Sequence, residues 1–333
     1  MVTVGIKEVA RRAGVSPGTV SNVLNRPERV AAETRSRVER AIDELGFVRN
    51  GSASTLRAGQ SRAVGLVVLD VGNPFFVEVA RGVEDVVSDR DHAVILCNSG
   101  ESPEKEARNL RVLAEQRVRG VLITPALDDV SSLRRLRDRG VAVVFVDHHA
   151  SGDVCSVAVD DVAGGLLATG HLIARGARRI AFVSGPVSIR QCSDRRQGAV
   201  RAMEEAGLPP GDLAEVLVPE MNAHGGRLAA EKLLDGSSLP DAIFCANDLL
   251  ALGVLRVLLQ AGIRVPEDVA IIGYDDIEFT SAAAVPLSSI RQPTYQLGKI
   301  ATELLLEECD DPEGHAHQQI MFQPELVVRE SSG

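Results

Sequence analysis

The chain is poor in aromatic residues and in lysine. Of its 333 residues, eight are Phe, two are Tyr and none is Trp, so aromatic residues make up 3% of the sequence. A binding pocket that depends on stacked aromatic rings is therefore weakly supported. Four residues are Lys and 32 are Arg, so contacts with phosphate groups would use mostly guanidinium groups.

Long apolar runs and paired cysteines are also missing. No run approaches 18 apolar residues, which argues against a membrane span. The first residues do not form a charged and then apolar export signal, so we predict a cytoplasmic protein. The cysteines are odd in number and widely spaced, and we expect reduced core residues at Cys97, Cys155, Cys192, Cys245 and Cys309.

The sequence contains none of the common motifs of hydrolases, zinc enzymes or nucleotide-binding folds. A Gly-x-Ser-x-Gly elbow, a His-Glu-x-x-His pair, a P-loop and a Gly-x-Gly-x-x-Gly fingerprint are all absent. No close cluster of His and Cys is evident along the chain. We therefore predict a protein that is not an enzyme and that has no cofactor and no metal site.

Residues 6–25 have the pattern of two short helices joined by a turn. Apolar residues recur with the spacing of one helical face, at Ile6, Val9, Ala10 and Ala13. Gly14 then ends the first helix, and Ser16 and Pro17 have the N-cap and first-turn preferences that begin a second one. Such a helix-turn-helix presents its second helix to the major groove of DNA.

A third amphipathic helix is predicted over residues 32–45, so residues 1–48 can close a small all-α DNA-binding domain. Residues 1–62 carry a net charge of +5, and the remainder of the chain carries −15. This distribution suggests that only the N-terminal region meets a polyanion such as DNA.

Residues 49–62 are small, polar and basic, and are predicted to be a hinge segment. A short helix around residues 53–57 would not persist alone, because helix nucleation is costly. Bound to DNA it could fold, with Leu56 as an apolar wedge in the minor groove. Alternatively the segment is a flexible tether, and Leu56 packs on the next domain.

From residue 63 to residue 330 the chain alternates strand-like apolar runs with amphipathic helical patterns. The predicted strands are 64–70, 93–97, 120–124, 142–146, 155–159, 179–184, 241–246 and 269–273. This alternation predicts an α/β body of parallel sheets covered by helices. Its length exceeds what one sheet comfortably uses, so we expect two lobes.

Polar residues follow several of these strands, at Asp70, Asp147, Asn247 and Asp275. Open α/β sheets bind ligands at the carboxyl ends of their strands. Together with the guanidinium group of Arg195, these side chains could bind the hydroxyl groups of a sugar-like ligand. Residues at such strand ends could instead cap the helices and turns that follow.

These features resemble the LacI/GalR family of transcriptional regulators along almost the whole chain. The motifs are IKEVARRAGVS at 6–16, TVSNVLN at 19–25, NPFF at 73–76, AND at 246–248, ALG at 251–253, VPEDV at 265–269, IGYDD at 272–276 and IRQP at 290–293. The resemblance implies a homodimer that binds a pseudo-palindromic operator in double-stranded DNA. It also implies a two-lobed, periplasmic-binding-protein-like core with three crossovers, whose first lobe would be 63–160 plus 290–320 and second 161–289 plus 321–330.

The resemblance further implies a set of DNA-contacting residues. Base edges would be read from Pro17, Gly18 and Asn22, and phosphates would be contacted by Thr19, Ser21, Asn25 and Thr34, with Ser16 at the helix start. Hinge contacts would be made by Ala53 and Leu56, which favours the wedge for Leu56. Pro17 and Gly18 offer no side-chain hydrogen bond to a base, so direct readout would depend on Asn22.

The ligand contacts implied by the resemblance are Phe75, Phe76, Asp147, Arg195, Met221, Asn247, Asp275 and Gln292. Met221 stands where some members have a stacking aromatic residue. We predict a ligand-gated repressor whose effector is a mono- or disaccharide or a sugar derivative. The alternatives are control by a protein corepressor, or by a non-sugar ligand such as a nucleoside.

Overall fold

The computed structural model describes residues 4–47, 61–127, 131–150, 152–236 and 238–333. The chain divides into two compact units, Met1–Ser61 and Arg62–Gly333. As the sequence predicts, the described part of the first unit is helical, and the second unit is an α/β structure with parallel sheets.

The described part of the first unit consists of three α-helices and one short 3-10 helix. They are α1 (Ile6–Ala13), α2 (Pro17–Asn25), the 3-10 helix (Pro27–Arg29) and α3 (Ala32–Leu45). Gly14 ends α1 with a φ of 65°, a left-handed conformation that favours glycine. Ser16 begins α2, because its Oγ accepts a hydrogen bond from the backbone N–H of Thr19 at 3.1 Å. The two helices and their turn therefore form as predicted.

A small apolar core holds these three helices together. Its buried residues come from all of them and are Val9, Ala10, Ala13, Val20, Val23, Val38 and Ala41. Because Val20 and Val23 point into this core, the opposite face of α2 lies in solvent. The core thus fixes which side chains of α2 are available to a partner.

The second unit contains twelve described strands, nine described α-helices and a short 3-10 helix (Pro210–Asp212). The strands are β1 (Ala63–Val68), β2 (Ala93–Asn98), β3 (Gly120–Ile123), β4 (Ala142–Val146), β5 (Cys155–Val159), β6 (Ile180–Ser184), β7 (Ala214–Leu217), β8 (Ala242–Cys245), β9 (Ala270–Asp275), β10 (Ser288–Arg291), β11 (Gln319–Phe322) and β12 (Glu325–Val327). The helices are α4 (Pro74–Ser88), α5 (Pro103–Glu115), α6 (Ser131–Arg137), α7 (Asp161–Ala174), α8 (Arg190–Glu205), α9 (Ala223–Leu234), α10 (Asp248–Gln260), α11 (Glu278–Ser281) and α12 (Thr294–Asp310). Among the described residues, no helix combines the length and the apolar character needed to cross a bilayer.

The strands form two six-stranded sheets, each of which defines one lobe. Lobe 1 has the strand order β11-β5-β4-β3-β1-β2, and lobe 2 has the order β12-β10-β9-β8-β6-β7. Neighbouring strands are parallel except β10 and β12, which are antiparallel. Parallel pairing requires helical crossovers, which cover the sheets and bury the apolar strands.

The chain passes between the lobes three times, after β5, after β10 and after β11. Strand β10 pairs with β9 in lobe 2, so lobe 1 does not resume at residue 290 as expected. It resumes with α12, whose residues Leu297 and Leu305 pack in the lobe 1 core. The sequence prediction missed β7, β10, β11, β12 and α12, and the strands among these have four residues or fewer.

Helices α7 and α8 of lobe 2 pack at unusually close range because glycines face each other. A Cβ atom added at Gly165 would lie 2.1 Å from the backbone oxygen of Arg195, and one at Gly198 would lie 2.1 Å from that of Val162. Neither position has room for a side chain. This close approach places the α8 residue Arg195 next to Asp161, at the start of α7.

Candidate ligand cleft and DNA-contacting helix

Strand ends of both lobes contribute side chains to one cavity in the second unit. The cavity has a volume of about 40 Å³ and is lined by Leu69, Asp70, Asn73, Phe75, Phe76, Glu101, Asp147, Ile189, Gln191, Cys192, Arg195, Met221, Asn247 and Asp275. A cavity of this size holds a few water molecules, so a larger ligand requires the lobes or the lining side chains to move.

Arg195 is the buried cation of this cleft, with 5% of its surface exposed. Its Nε donates to Asp161 Oδ1 at 2.8 Å, and its Nη1 donates to the backbone oxygen of Ala246 at 2.6 Å. Nη1 also lies 4.0 Å from Asp275 Oδ1. The guanidinium carbon lies 3.7 Å from the centroid of the Tyr274 ring, in a cation–π contact. These contacts pair the buried charge and fix its orientation.

Asp275, at the end of β9, accepts hydrogen bonds from two side-chain amides. Asn73 Nδ2 donates to Oδ2 at 3.1 Å, and Gln292 Nε2 donates to Oδ1 at 2.8 Å. Asn73 begins α4 of lobe 1, where its Oδ1 also accepts from the N–H of Phe75 at 3.0 Å. The Asn73–Asp275 hydrogen bond therefore joins the two lobes.

A second polar contact between the lobes pairs Asp147, which follows β4, with Gln191 on α8. Gln191 Nε2 donates to the backbone oxygen of Asp147 and, at 3.2 Å, to its Oδ2. The remaining oxygens, Asp147 Oδ1 and Gln191 Oε1, are buried and have no hydrogen-bond partner among the described residues. Buried oxygens of this kind favour a ligand that supplies hydrogen bonds.

Two strand-end aspartates adopt a backbone conformation that side chains rarely accept. The φ angle is 53° at Asp147 and 108° at Asp275. Residues in these regions are strained unless the surrounding structure holds them, and they occur often at functional sites. Their position at the two lobe-to-lobe contacts supports a binding role for the cleft.

Burial raises the pKa of three carboxyl groups that line the cleft. It raises the pKa of Asp275 to about 6, although the charge of Arg195 opposes the shift. Burial also raises the pKa of Asp147 well above its ordinary value, and the charge of Asp161 raises it further. Glu101 has a pKa raised to about 7 by burial and by the charge of Asp70. These groups bind protons more tightly in the folded protein than in the unfolded chain.

Asn247 has a structural role as well as a place in the cavity wall. Its Oδ1 accepts from the N–H of Leu250 at 2.9 Å and caps α10, while its Nδ2 donates to the backbone oxygen of Met221 at 2.8 Å. The capping alternative raised from the sequence therefore applies to Asn247. The amide also holds Met221 against the cavity.

The structure brings most of the predicted ligand contacts together. Phe75, Phe76, Asp147, Arg195, Met221, Asn247 and Asp275 line the cavity, and Gln292 lies behind Asp275. The sequence-based list missed Asn73, Glu101 and Gln191. Gln191 is four residues before Arg195 on α8, a spacing that places both on one helical face and could have identified it. The binding roles of all these residues stay predictions.

The predicted DNA-contacting residues that the structure describes lie on α2 or at its start, except Thr34, which lies on α3. Ser16, Pro17, Gly18, Asn22 and Asn25 are exposed, and Thr19, Ser21 and Thr34 are partly exposed. Some are tied to the helix: Ser16 Oγ and Thr19 Oγ1 lie 2.9 Å apart, and Asn25 Nδ2 donates to the backbone oxygen of Ser21 at 2.7 Å. The predicted hinge contacts Ala53 and Leu56 lie outside the described residues.

A second polar cluster lies in lobe 1, and the sequence did not predict it. Ligand-type atoms of Cys155, Glu308, His315 and His317 all lie within 4.8 Å of one another. The expectation of no close His and Cys cluster is therefore wrong. Cys155 and the two histidines come together because β5 pairs with β11, which follows the histidines, and Glu308 is contributed by the last turn of α12.

Two family models match the chain. The bacterial regulatory proteins of the lacI family match residues 5–50, which include α1 to α3. The periplasmic binding protein-like domain matches residues 169–332, which include most of lobe 2 and the return to lobe 1.

Similar proteins cover the chain from end to end. The HTH-type transcriptional repressor PurR of Vibrio vulnificus (strain CMCP6) is 38% identical over 329 residues, which cover 98% of this chain and 98% of the relative. A solved structure of the transcriptional regulator CelR in complex with cellobiose is 33% identical, with a TM-score of 0.72, and covers 98% of this chain and 99% of that one. The lac repressor dimer bound to operator and the anti-inducer ONPF is 27% identical, with a TM-score of 0.83, and covers 99% of both chains.

These relatives are regulators and not enzymes, and they match both units of the chain. Membership of one family therefore accounts for both the helix-turn-helix and the two-lobed body. The chain belongs to the LacI family of bacterial regulatory proteins and is a DNA-binding transcriptional repressor of that family.

Proposed function

We propose that this repressor binds a pseudo-palindromic operator as a homodimer, and that a sugar or sugar-like effector in the cleft sets its affinity for DNA. The observation that carries the proposal is the pair of polar contacts between the lobes, Asn73–Asp275 and Asp147–Gln191. These four residues line the cavity, so a ligand that binds there would contact both lobes and change these hydrogen bonds. It would therefore bind one arrangement of the lobes better than another, which is the condition for coupling.

The chemistry of the cleft favours a neutral ligand with several hydroxyl groups. The cavity wall offers carboxylates, amides and one guanidinium group, a set that both donates and accepts hydrogen bonds. Hydroxyl groups would supply partners for the buried oxygens Asp147 Oδ1 and Gln191 Oε1. The cellobiose complex of the related regulator CelR supports a sugar of similar size.

A nucleoside is the second candidate, because the cavity wall also has an aromatic part. Phe75 and Phe76 are packed edge to face with ring centroids 4.9 Å apart. Together with Met221 they provide an apolar surface on which a flat base could lie. Arg195 and Asp275 could then hydrogen-bond to the edge of the base.

On the DNA side, we propose that the exposed face of α2 enters the major groove. Asn22 is exposed near the middle of this face and can form paired hydrogen bonds with an adenine. Ser16, Thr19, Ser21 and Asn25 would contact phosphates, which fixes the position of the helix without reading sequence. The resemblance adds Thr34 on α3, and Ala53 and Leu56 in the hinge.

A thermal-shift screen of the purified protein against sugars and nucleosides tests the effector. A ligand that binds the folded protein raises the melting temperature, by an amount that increases with its concentration. Each ligand found is then added to gel shifts with duplexes selected for binding from a random pool. We expect at least one sugar to stabilise the protein and to change operator affinity by a factor of about 5 to 150.

Two variants test operator binding and effector binding separately. Asn22→Ala should weaken operator binding by about 1–3 kcal/mol and leave the ligand-induced thermal shift unchanged. Asp275→Asn should abolish the ligand response and keep operator binding. If nucleosides stabilise the protein and no sugar does, the proposed effector is a nucleoside and not a sugar. A repressor whose operator affinity follows no small molecule would contradict gating by the cleft.

A further inference from the structure

We propose that Cys155, Glu308, His315 and His317 form a site for one Zn²⁺ ion in lobe 1. Their ligand atoms are the Sγ of the cysteine, one ring nitrogen of each histidine and one carboxylate oxygen, all within 4.8 Å of one another. Thiolate sulfur, imidazole nitrogen and carboxylate oxygen are the ligands that Zn²⁺ takes in tetrahedral sites.

The distances around Cys155 fit an ion between these atoms. Cys155 Sγ lies 3.1 Å from His315 Nε2 and 3.7 Å from His317 Nδ1. In a tetrahedral zinc site, bond lengths of about 2.3 Å to sulfur and about 2.0 Å to nitrogen place these atoms roughly 3.5 Å apart. His317 Nδ1 and Glu308 Oε2 lie 4.0 Å apart, so the fourth ligand requires only a small adjustment.

The fold holds the four side chains in place from different parts of the chain. Cys155 is the first residue of β5, and Glu308 lies in the last turn of α12. The histidines precede β11, which pairs with β5 in register, so the segment with the His-x-His sequence runs beside the cysteine. The backbone of His315 is held in place as well, because its backbone N–H donates to the backbone oxygen of Asp311 at 3.0 Å.

Two further observations point to a bound cation. Glu308 Oε2 is buried and has no hydrogen-bond partner among the described residues. A bound cation would offset the cost of burying this oxygen. The backbone N–H of Gln318 points at Cys155 Sγ at 3.3 Å, as backbone amides do toward sulfur atoms that carry negative charge. Cys155 itself is fully buried.

The charges balance when zinc binds. Cys155 loses its proton to solvent and binds as a thiolate, Glu308 binds as a carboxylate, and both histidines bind as neutral imidazoles. Two negative ligands then neutralise the two charges of the ion, in a site where the cysteine is buried and the other three ligands are partly buried. The ion would join β5 to the end of α12 and the segment before β11.

The site is separate from the ligand cleft. Cys155 stands at the amino end of its strand, whereas the cleft is built at the carboxyl ends, where Asp147 follows β4. Cys309 is next to Glu308 but points elsewhere, since its Sγ donates to the backbone oxygen of Arg119 at 3.2 Å. It therefore provides a matched control for Cys155.

Cobalt titration of the untagged, full-length protein after chelation tests the proposal. Co²⁺ in the site should give a thiolate charge-transfer band and strong visible bands of tetrahedral geometry, which saturate at one ion per chain and disappear when Zn²⁺ is added. Cys155→Ser should lose the charge-transfer band, and Cys309→Ser should keep it. His315→Ala should bind Co²⁺ at least about tenfold more weakly, whereas His92→Ala, at a partly exposed position just before β2, should bind as the parent does.

Circular dichroism of each variant shows whether it is folded, and His317→Ala provides a further variant at a partly exposed position. Zn²⁺ should also raise the melting temperature of the parent protein more than that of His315→Ala at the same concentration. A parent protein with no saturable cobalt spectrum would overturn the site and leave only hydrogen bonds between Cys155 and the histidines. A band that depends on Cys309 and not on Cys155 would overturn it as well.

Discussion

The two surfaces proposed to bind partners are built in opposite ways. The exposed face of α2 has small neutral side chains, among them Ser16, Gly18 and Asn22, in a unit whose charges lie on other residues. The cleft buries ionisable side chains, and Asp147, Arg195 and Asp275 are each at most 6% exposed. The DNA-contacting surface therefore forms few interactions before its partner arrives, whereas the cleft is already a connected network.

This difference predicts where single substitutions will be felt. Apart from Ser16, which caps the helix, a side chain on the exposed face of α2 should be replaceable with little effect on folding, because we propose that it contributes mainly when DNA is bound. A side chain of the cleft supports its neighbours, so its loss should destabilise the unit that contains it as well as weaken ligand binding. The four predictions that follow test this contrast, from the largest expected effect to the smallest.

Arg195→Ala should have the largest effect, a loss of about 3–5 kcal/mol in the free energy of unfolding of the second unit, because Asp161 and Asp275 lose the cation that pairs with them. The neighbouring Arg196 is the control. It pairs with Glu215 at the surface, where the Arg196 side chain is 41% exposed and the Glu215 side chain is 30% exposed. Arg196→Ala should cost about 0–1 kcal/mol. Urea unfolding followed by circular dichroism measures both losses. Equal losses would show that the buried network of the cleft contributes no more to stability than an exposed ion pair.

Gly165→Ala should cost about 1–3 kcal/mol, because its Cβ would overlap the backbone oxygen of Arg195 and push α7 away from α8. Gly170 lies on the same helix with nothing within 4 Å of an added Cβ. Gly170→Ala should therefore stabilise the protein by about 0.5–1 kcal/mol. The melting temperatures of the two variants should move in opposite directions. If Gly165→Ala does not lower the melting temperature, the close packing of α7 against α8 is not needed to position Arg195.

Ser16→Ala should cost about 1 kcal/mol in the stability of the first unit, because α2 loses the side chain that caps it. Ser36 is exposed within α3, and Ser36→Ala should be neutral or slightly stabilising. Hydrogen exchange of the amides of α2 can report this local effect. Equal protection of α2 in both variants would show that the cap is not needed.

The fourth prediction concerns pH, and we expect the smallest effect here because Glu101 is only partly buried and solvent screens its charge. The pKa of Glu101 is raised from 4.5 to about 7, so the folded protein binds this proton more tightly than the unfolded chain. The corresponding stability is fully present below pH 4.5 and is lost as the pH rises to about 7. Glu101→Gln cannot ionise, so its melting temperature should exceed that of the parent above pH 7 and approach it near pH 4. A difference that does not change with pH would contradict the raised pKa.

The sequence predicted the described α-helices of the first unit almost residue by residue and the cleft only in part. Helix α3 has the predicted bounds, because caps and apolar spacing are local features that lie within one helix. The residues that end strands, such as Asp147 and Asp275, were found because parallel sheets place those ends together. Partners such as Asn73 and Gln191, and the cluster around Cys155, depend on which distant segments become neighbours, and single-chain patterns do not contain that information.

The coupling between the two surfaces is tested most directly by measuring effector and operator binding against each other. Operator affinity is measured at zero and at saturating effector, and effector affinity is measured with and without the selected operator duplex. If the cleft gates the DNA-binding surface, the effector changes operator affinity by some factor, and the operator changes effector affinity by the same factor. Saturation of the cleft with no change in operator affinity would contradict the account.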